Sequence, residues 1–193
     1  MANSRIATSS ITQGFPKSKS LLTGNDAIFA GSYESIATAT GTGSSGTITF
    51  SSIPATYTHL QIRCLMKNTS NSTNLYVTFN GDSTSNYSAH YLYTDGQTRS
   101  SAALNGAYMF LGRYASSTAA SVYGANVIDI LDYANTNKYK TARGLGGYDT
   151  NGGGEILFSS GNWRSTAAIT SITLNTDATN WTTATTFALY GIK

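Results

Sequence analysis

Apolar and polar residues alternate over short stretches of this chain, and Gly, Asn and Asp separate the stretches. In LQIRCLMK, Leu60, Ile62, Cys64 and Met66 share one face of an extended segment, while Gln61, Arg63 and Lys67 take the other. Leu75, Val77 and Phe79 alternate with Tyr76 and Thr78, and Phe187 and Leu189 with Ala188 and Tyr190. Successive side chains of a strand point to opposite faces. One face in a core and one in water is the mark of antiparallel sheets. The pattern predicts strands at 33–40, 46–51, 58–67, 75–80, 88–93, 107–113, 121–132, 138–145, 155–160, 168–175 and 186–192. The separators GTGSSG, NTSNST, NGDSTSN, DGQTRS, ASSTA, ANTN, DTNGGG and NTDATN supply residues that tolerate positive φ or bond their own backbone. About ten or eleven short strands at this spacing predict an all-β fold, an antiparallel β-sandwich or jelly roll. The one stretch with helical appeal, IDILDYANTNKY, is β-branched and broken by Asn, and reads as a strand and a turn. No internal repeat recurs at a fixed period, which argues against solenoids and propellers.

Composition narrows the function classes. Only 11% of the residues are charged, against about 25% in ordinary globular domains. Disordered chains are also rich in Ser, Thr, Asn and Gly, but they lack aromatics, and this one has 13 Tyr, 7 Phe and 2 Trp. Such a polar all-β chain fits extracellular and virion settings. The net charge is +3, and Arg63, Lys67, Arg99, Arg113, Lys138, Lys140 and Arg143 are dispersed. Recognition of duplex nucleic acid needs clustered cations, so no nucleic-acid partner is expected. No apolar run approaches the ~20 residues that span a bilayer as a helix, and no membrane insertion is expected. The N-terminal residues have no apolar core of a secretory signal, which fits a particle assembled in the host cytoplasm. The single cysteine, Cys64, lies in an alternating stretch and reads as a buried thiol.

Residues 1–31 differ from the rest. They are polar, hold Pro16, and show no sustained period. A disordered tail is one reading. The scattered apolar residues Ile6, Ile11, Phe15, Leu21 and Leu22, with Ile28 and Phe29, favour an extended arm that orders against a partner, and residues 32–193 form the sandwich domain.

The chain carries no catalytic constellation. His59 and His90 have no acid at metal-ligand spacing, and HExxH and GxSxG are absent. No catalytic residue, metal ligand or cofactor is assigned. Asp129 and Asp132 fall on opposite faces of a strand, so they form no glycosidase pair. Asp129 sits within VIDIL and predicts a structural partner in Arg143 or Lys140. Asn80–Gly81–Asp82 reads as a hairpin turn, with too few oxygens for a calcium site. DTNGGGE lacks the P-loop Lys-Ser/Thr and reads as a hairpin loop. Tyr87, His90, Tyr91, Tyr93 and Trp163 are the candidate contacts with a ligand or partner surface, because Tyr and Trp pair an apolar body with a polar tip. Core and inter-subunit contact is the competing role for the aromatics.

From Ser32–Thr40 (SYESIATAT) to the terminal FALYGIK, the chain resembles a β-sandwich module of tailed-bacteriophage virion structural proteins. The phrases that carry the resemblance are FSSIPATYTHLQIR, FNGDSTSNYSAHYLY, VIDILDYANTNKYKT and SSGNWRSTAAITSITL, and the arm phrase SSITQGFPKS is similar to segments found with such modules. The resemblance implies a non-enzymatic protein on the exterior of a phage particle: a capsid-decoration or cement protein, or a short fibre or tail-peripheral one. It implies attachment through the arm, other phage virion proteins as partners, and a homo-oligomer, expected to be a trimer. A module binding host-surface glycan is the alternative.

Overall fold

A computed structural model of the chain describes residues 32–71, 73–177 and 179–193. The predicted arm and its attachment residues Ile6, Ile11, Phe15, Pro16, Leu21 and Leu22 lie outside the described residues.

The described residues form an all-β structure of twelve strands. These are β1 (Tyr33–Thr40), β2 (Thr47–Phe50), β3 (His59–Met66), β4 (Asn74–Phe79), β5 (Tyr87–Thr94), β6 (Arg99–Gly106), β7 (Met109–Arg113), β8 (Gly124–Leu131), β9 (Lys140–Asp149), β10 (Gly154–Trp163), β11 (Ile172–Thr176) and β12 (Thr186–Ile192). They make two sheets, an eight-stranded one in the order β1-β12-β3-β8-β9-β10-β5-β6 and a four-stranded one in the order β2-β11-β4-β7. Every pairing between these strands is antiparallel. The predicted antiparallel sandwich is therefore what the residues build. The chain passes repeatedly from one sheet to the other, and only β5–β6 and β8–β9–β10 run as consecutive strands within a sheet.

Alternation places the core where the sequence puts it. Leu60, Ile62, Cys64 and Met66 of β3, Ile128 and Ile130 of β8, and Phe187 and Leu189 of β12 are buried from the large sheet. Leu75, Val77, Phe79, Ile172, Leu174, Met109 and Leu111 meet them from the small one. Each such side chain contributes about 1.5–3 kcal/mol when fully removed from water. Strand β7 approaches β9 and β10 so closely that only small residues fit beneath it. A Cβ on Gly144 would lie 1.8 Å from the Leu111 carbonyl oxygen. Ser159, fully buried between the sheets, donates its hydroxyl to the Phe110 carbonyl. Cys64 is a free, buried thiol whose pKa is pushed well up by burial.

The aromatic phrase around Asp82 ties a corner. Asn80 and Gly81 both have positive φ (52° and 68°), and the Asp82 N–H donates to the Phe79 carbonyl at 2.9 Å. The turn was expected to close a hairpin. It instead carries the chain from β4 in the small sheet toward β5 in the large one. The Asp82 carboxylate accepts from the Thr84 hydroxyl and N–H, the Asn86 amide and the Trp163 indole N–H (2.7 Å). These bonds, the Thr84 hydroxyl first and the Trp163 indole next, hold its carboxyl far below the usual range. Asn80 Oδ1 accepts from the N–H groups of Thr170 and Ser171. The carboxylate and amide are thus engaged with protein donors from both ends of the corner. The 150–153 loop does close a hairpin, between β9 and β10, with Gly154 opposite Asp149.

Two further expectations change. DGQTRS marks only the turn; from Arg99 onward the chain forms β6, paired residue for residue with β5. Strand β6 lies at the edge of the large sheet, almost wholly exposed, so its sequence RSSAALNG shows no alternation because neither face needs to be apolar. Asp129 does stand opposite Arg143 in register, but its carboxylate accepts from Gln61 Nε2 at 2.7 Å and forms no ion pair among the described residues. Lys140 cannot serve it either, because it shares the inward parity of Ala142. Its ammonium is buried against the carbonyls of Lys138 and Thr166 (2.9 and 3.1 Å), and burial lowers its pKa.

Candidate functional site

The outer face of the eight-stranded sheet, turned away from the small sheet, is divided into an apolar and a polar half. Strand register fixes the rows. Arg63, Val127, Leu145, Phe158, Leu92 and Ser101 lie side by side on β3, β8, β9, β10, β5 and β6. Two residues along the strands, the next row is Leu65, Ala125, Gly147, Ile156, Thr94 and Arg99. Opposite neighbours within such rows are ~5 Å apart, so the apolar members form one continuous band. Its side chains are well exposed: Leu92 and Ile156 60%, Leu145 56%, Phe158 47%, Leu65 45% and Val127 38%.

The band has relief. Arg63, Leu65, Ala125, Val127, Leu145 and Ala188 help line an open hollow of about 410 Å³ on one side. Leu92, Thr94, Arg99, Ser101, Ile156 and Phe158 help line another of about 410 Å³ on the other. Leu145 and Phe158, opposite one another across β9 and β10, stand between the two as a ridge.

On the other side of the first row the face is polar, with Gln61, Asp129, Arg143, Ser160 and His90 in register. At its β1 end the Tyr33 and Tyr190 rings stack at 4.7 Å, and the Arg63 guanidinium lies 5.2 and 5.8 Å from their centres. The Tyr33 hydroxyl and Arg63 Nε both donate to Gln61 Oε1 (2.6 and 3.0 Å). These rings are engaged with each other and with Arg63.

The five candidate contact residues separate. Tyr87 and Trp163 are buried in the core, their rings stacked at 6.2 Å; they are not surface contacts, because both take the inward parity of their strands. Tyr91 points inward too, with its ring edge-on to Phe110 at 4.9 Å. Tyr93 lies beneath the Arg113 guanidinium at 5.2 Å, and Arg113 pairs with Glu155 at 3.1 Å. His90 alone is on the outer face. The exposed band itself was missed. Its signal is the consecutive apolar pair or triplet within a strand, Val127-Ile128 and Ile156-Leu157-Phe158, which must turn some members outward if only one face is covered.

Among the described residues no three His, Cys, Asp or Glu side chains converge to hold a metal. What the outer face offers is noncovalent association: an apolar band of the kind that marks contact sites, bordered by hydrogen-bonding groups. No family model matches the chain, and no curated protein does. Among solved structures it is similar to galectin LEC-6 of Caenorhabditis elegans, with 8% identity over 81% of this chain and 95% of that one and a TM-score of 0.32. A likeness of that degree carries no argument about residues or ligands.

Proposed function

We propose that the chain is a non-enzymatic structural protein on the exterior of a tailed-bacteriophage particle. In this reading residues 1–31 attach it to other virion proteins, and the sandwich serves as a rigid body that associates through the outer face of its large sheet. The resemblance of the chain's phrases to phage virion modules supports the setting. The observation that carries the reading is the exposed two-row band of Leu, Ile, Val and Phe, which stand side by side in register. Folding does not require those side chains outside, whereas assembly does. The test is mass spectrometry of washed, density-purified particles from cells producing the full chain. The protein should co-purify at a fixed stoichiometry, and a chain lacking residues 2–31 should be lost from the particles. Absence of the full chain from washed particles overturns the reading.

The polar half supports a second reading, contact with host-surface glycan. Gln61, Asp129, Arg143, Ser160 and His90 set donors and acceptors in a row that sugar hydroxyls could bridge. A glycan array probed with the full chain should show binding that Arg143→Ala and His90→Ala weaken. Silence on the array removes this reading and leaves the first intact.

A further inference from the structure

We propose that the partner of the apolar band is a second copy of this chain, docked face to face about a two-fold axis that runs along the strands between β8 and β9. The proposal rests on the assembly reading above, because it names the occupant of the same surface. The relief suits this geometry. An axis between β8 and β9 carries the Leu145–Phe158 ridge of each copy over β3 and β8 of the other, which is where the hollow lined by Leu65, Ala125 and Val127 opens. A two-fold axis makes the two contacts identical, as an isologous interface demands.

The same operation pairs the rows. Strand β8 of one copy faces β9 of the other, and β3 faces β10. Val127 then meets Leu145 of the second copy, Leu65 meets Ile156, and Arg63 lies over the ring of Phe158. In the polar row Asp129 faces Arg143 of the second copy, and the reverse pair forms with it. Within one copy Asp129 accepts only from Gln61, and Arg143 is exposed with no ion pair among the described residues. The charges are therefore placed to be met across the interface. Two aligned sheets cross at about −30°, so the pairs on the strands beside the axis, Val127–Leu145 and Asp129–Arg143 of β8 and β9, keep their register best.

The area suffices. Eight strands ~4.8 Å apart, each about eight residues long at ~3.3 Å per residue, give a face of roughly 1,000 Å². A standard interface needs about 800 Å² from each partner. The layout sets an apolar band beside a row of polar and charged groups that meet complementary partners across the axis. A three-fold assembly joins two different surfaces of each subunit, so this face makes a dimer in place of the expected trimer.

Sedimentation velocity on the full chain across a concentration series tests this. Wild type should sediment as a dimer. Leu145→Asp should be monomeric, with an unchanged circular dichroism spectrum because the residue is exposed, and with the melting temperature of wild type diluted until it too is monomeric. Arg143→Asp should raise the dimer dissociation constant at least tenfold, and adding Asp129→Arg to it should recover most of that loss. A wild type that is monomeric or trimeric overturns the pairing, as does a dimer indifferent to Leu145→Asp and to the charge swap. A monomer that still mounts on particles and loses that ability with Leu145→Asp also overturns the pairing, but keeps the assembly reading. A dimer absent from washed particles overturns the assembly reading instead.

Discussion

Along β9 and β10, the face toward the small sheet carries Ala142, Gly144, Ser159 and Gly161, while the face toward solvent carries Leu145, Ile156 and Phe158. Where β7 crosses these strands the larger apolar side chains are on the wet side, although Leu157 and Trp163 stay inward on either side of Ser159 and Gly161. The inner face is constrained by distance: the backbone of β7 lies on Gly144, and the Met109 thioether would be 2.4 Å from a Cβ on Gly161. Smallness, not hydrophobicity, is what that layer selects. The outer face has no such limit, and nothing within the described fold covers it. Apolar residues in one strand therefore answer to two different requirements, close contact between sheets on one side and association on the other.

The sharpest way to break this comparison is to exchange two neighbours. Gly144→Leu combined with Leu145→Gly keeps the composition and reverses the faces. A leucine at 144 must displace the Leu111 carbonyl, so the variant should show no cooperative unfolding transition by near-ultraviolet circular dichroism. A native-like melt would show that the layer is not limited by space. Trp163→Ala should be next in size. It removes a ring stacked on Tyr87, set edge-on to Phe79 at 5.6 Å, and bonded to Asp82. Chemical denaturation should register a loss of about 3–5 kcal/mol, and a loss below about 1 kcal/mol would contradict its place in the core.

Acid titration sharpens the same contrast at the corner. The native Asp82 carboxyl lies below its ordinary value of 3.8. The unfolded chain therefore binds that proton more readily. The stability it contributes is fully present above the unfolded value and is lost as pH falls below about 4 toward the depressed native one. Melting temperatures between pH 6 and pH 2 should fall less steeply for Asp82→Asn than for wild type, and parallel curves would remove Asp82 from the acid response. The smallest effect belongs outside. Phe158→Ser, measured at concentrations where the chain is monomeric, should change unfolding free energy by no more than about 0.5 kcal/mol. A larger loss would mean that the outer face does help to hold the domain.

Most of the sandwich was legible because its strands alternate. The predicted segments 33–40 and 186–192 coincide with β1 and β12, and the inward row of β3 is the one LQIRCLM displays. Strand β6 was not legible because an uncovered edge strand has no apolar face to reveal it. Trp163 was misplaced because β10 runs three residues beyond the predicted 155–160. Only with that extension does Trp163 share the parity of Leu157 and Ser159. Tyr87, Tyr91 and Tyr93 are on one face, as the sequence indicates, but which face is inward depends on the neighbouring sheet. The outer band was hidden for a related reason: a side chain such as Leu145 reads as core in one strand, and only five aligned strands show it as surface.

Lys140 gives the molecule a built-in reporter. Its amine lies beneath the surface on two carbonyls, while Lys138, two residues earlier, is exposed. A reagent that acylates accessible amines will therefore tag Lys138, which is paired with the surface carboxylate of Asp132, well before Lys140, which is reached only when β9 parts from the segment that holds Thr166. The ratio of the two tags, read from a single peptide, clocks how often this part of the domain breathes.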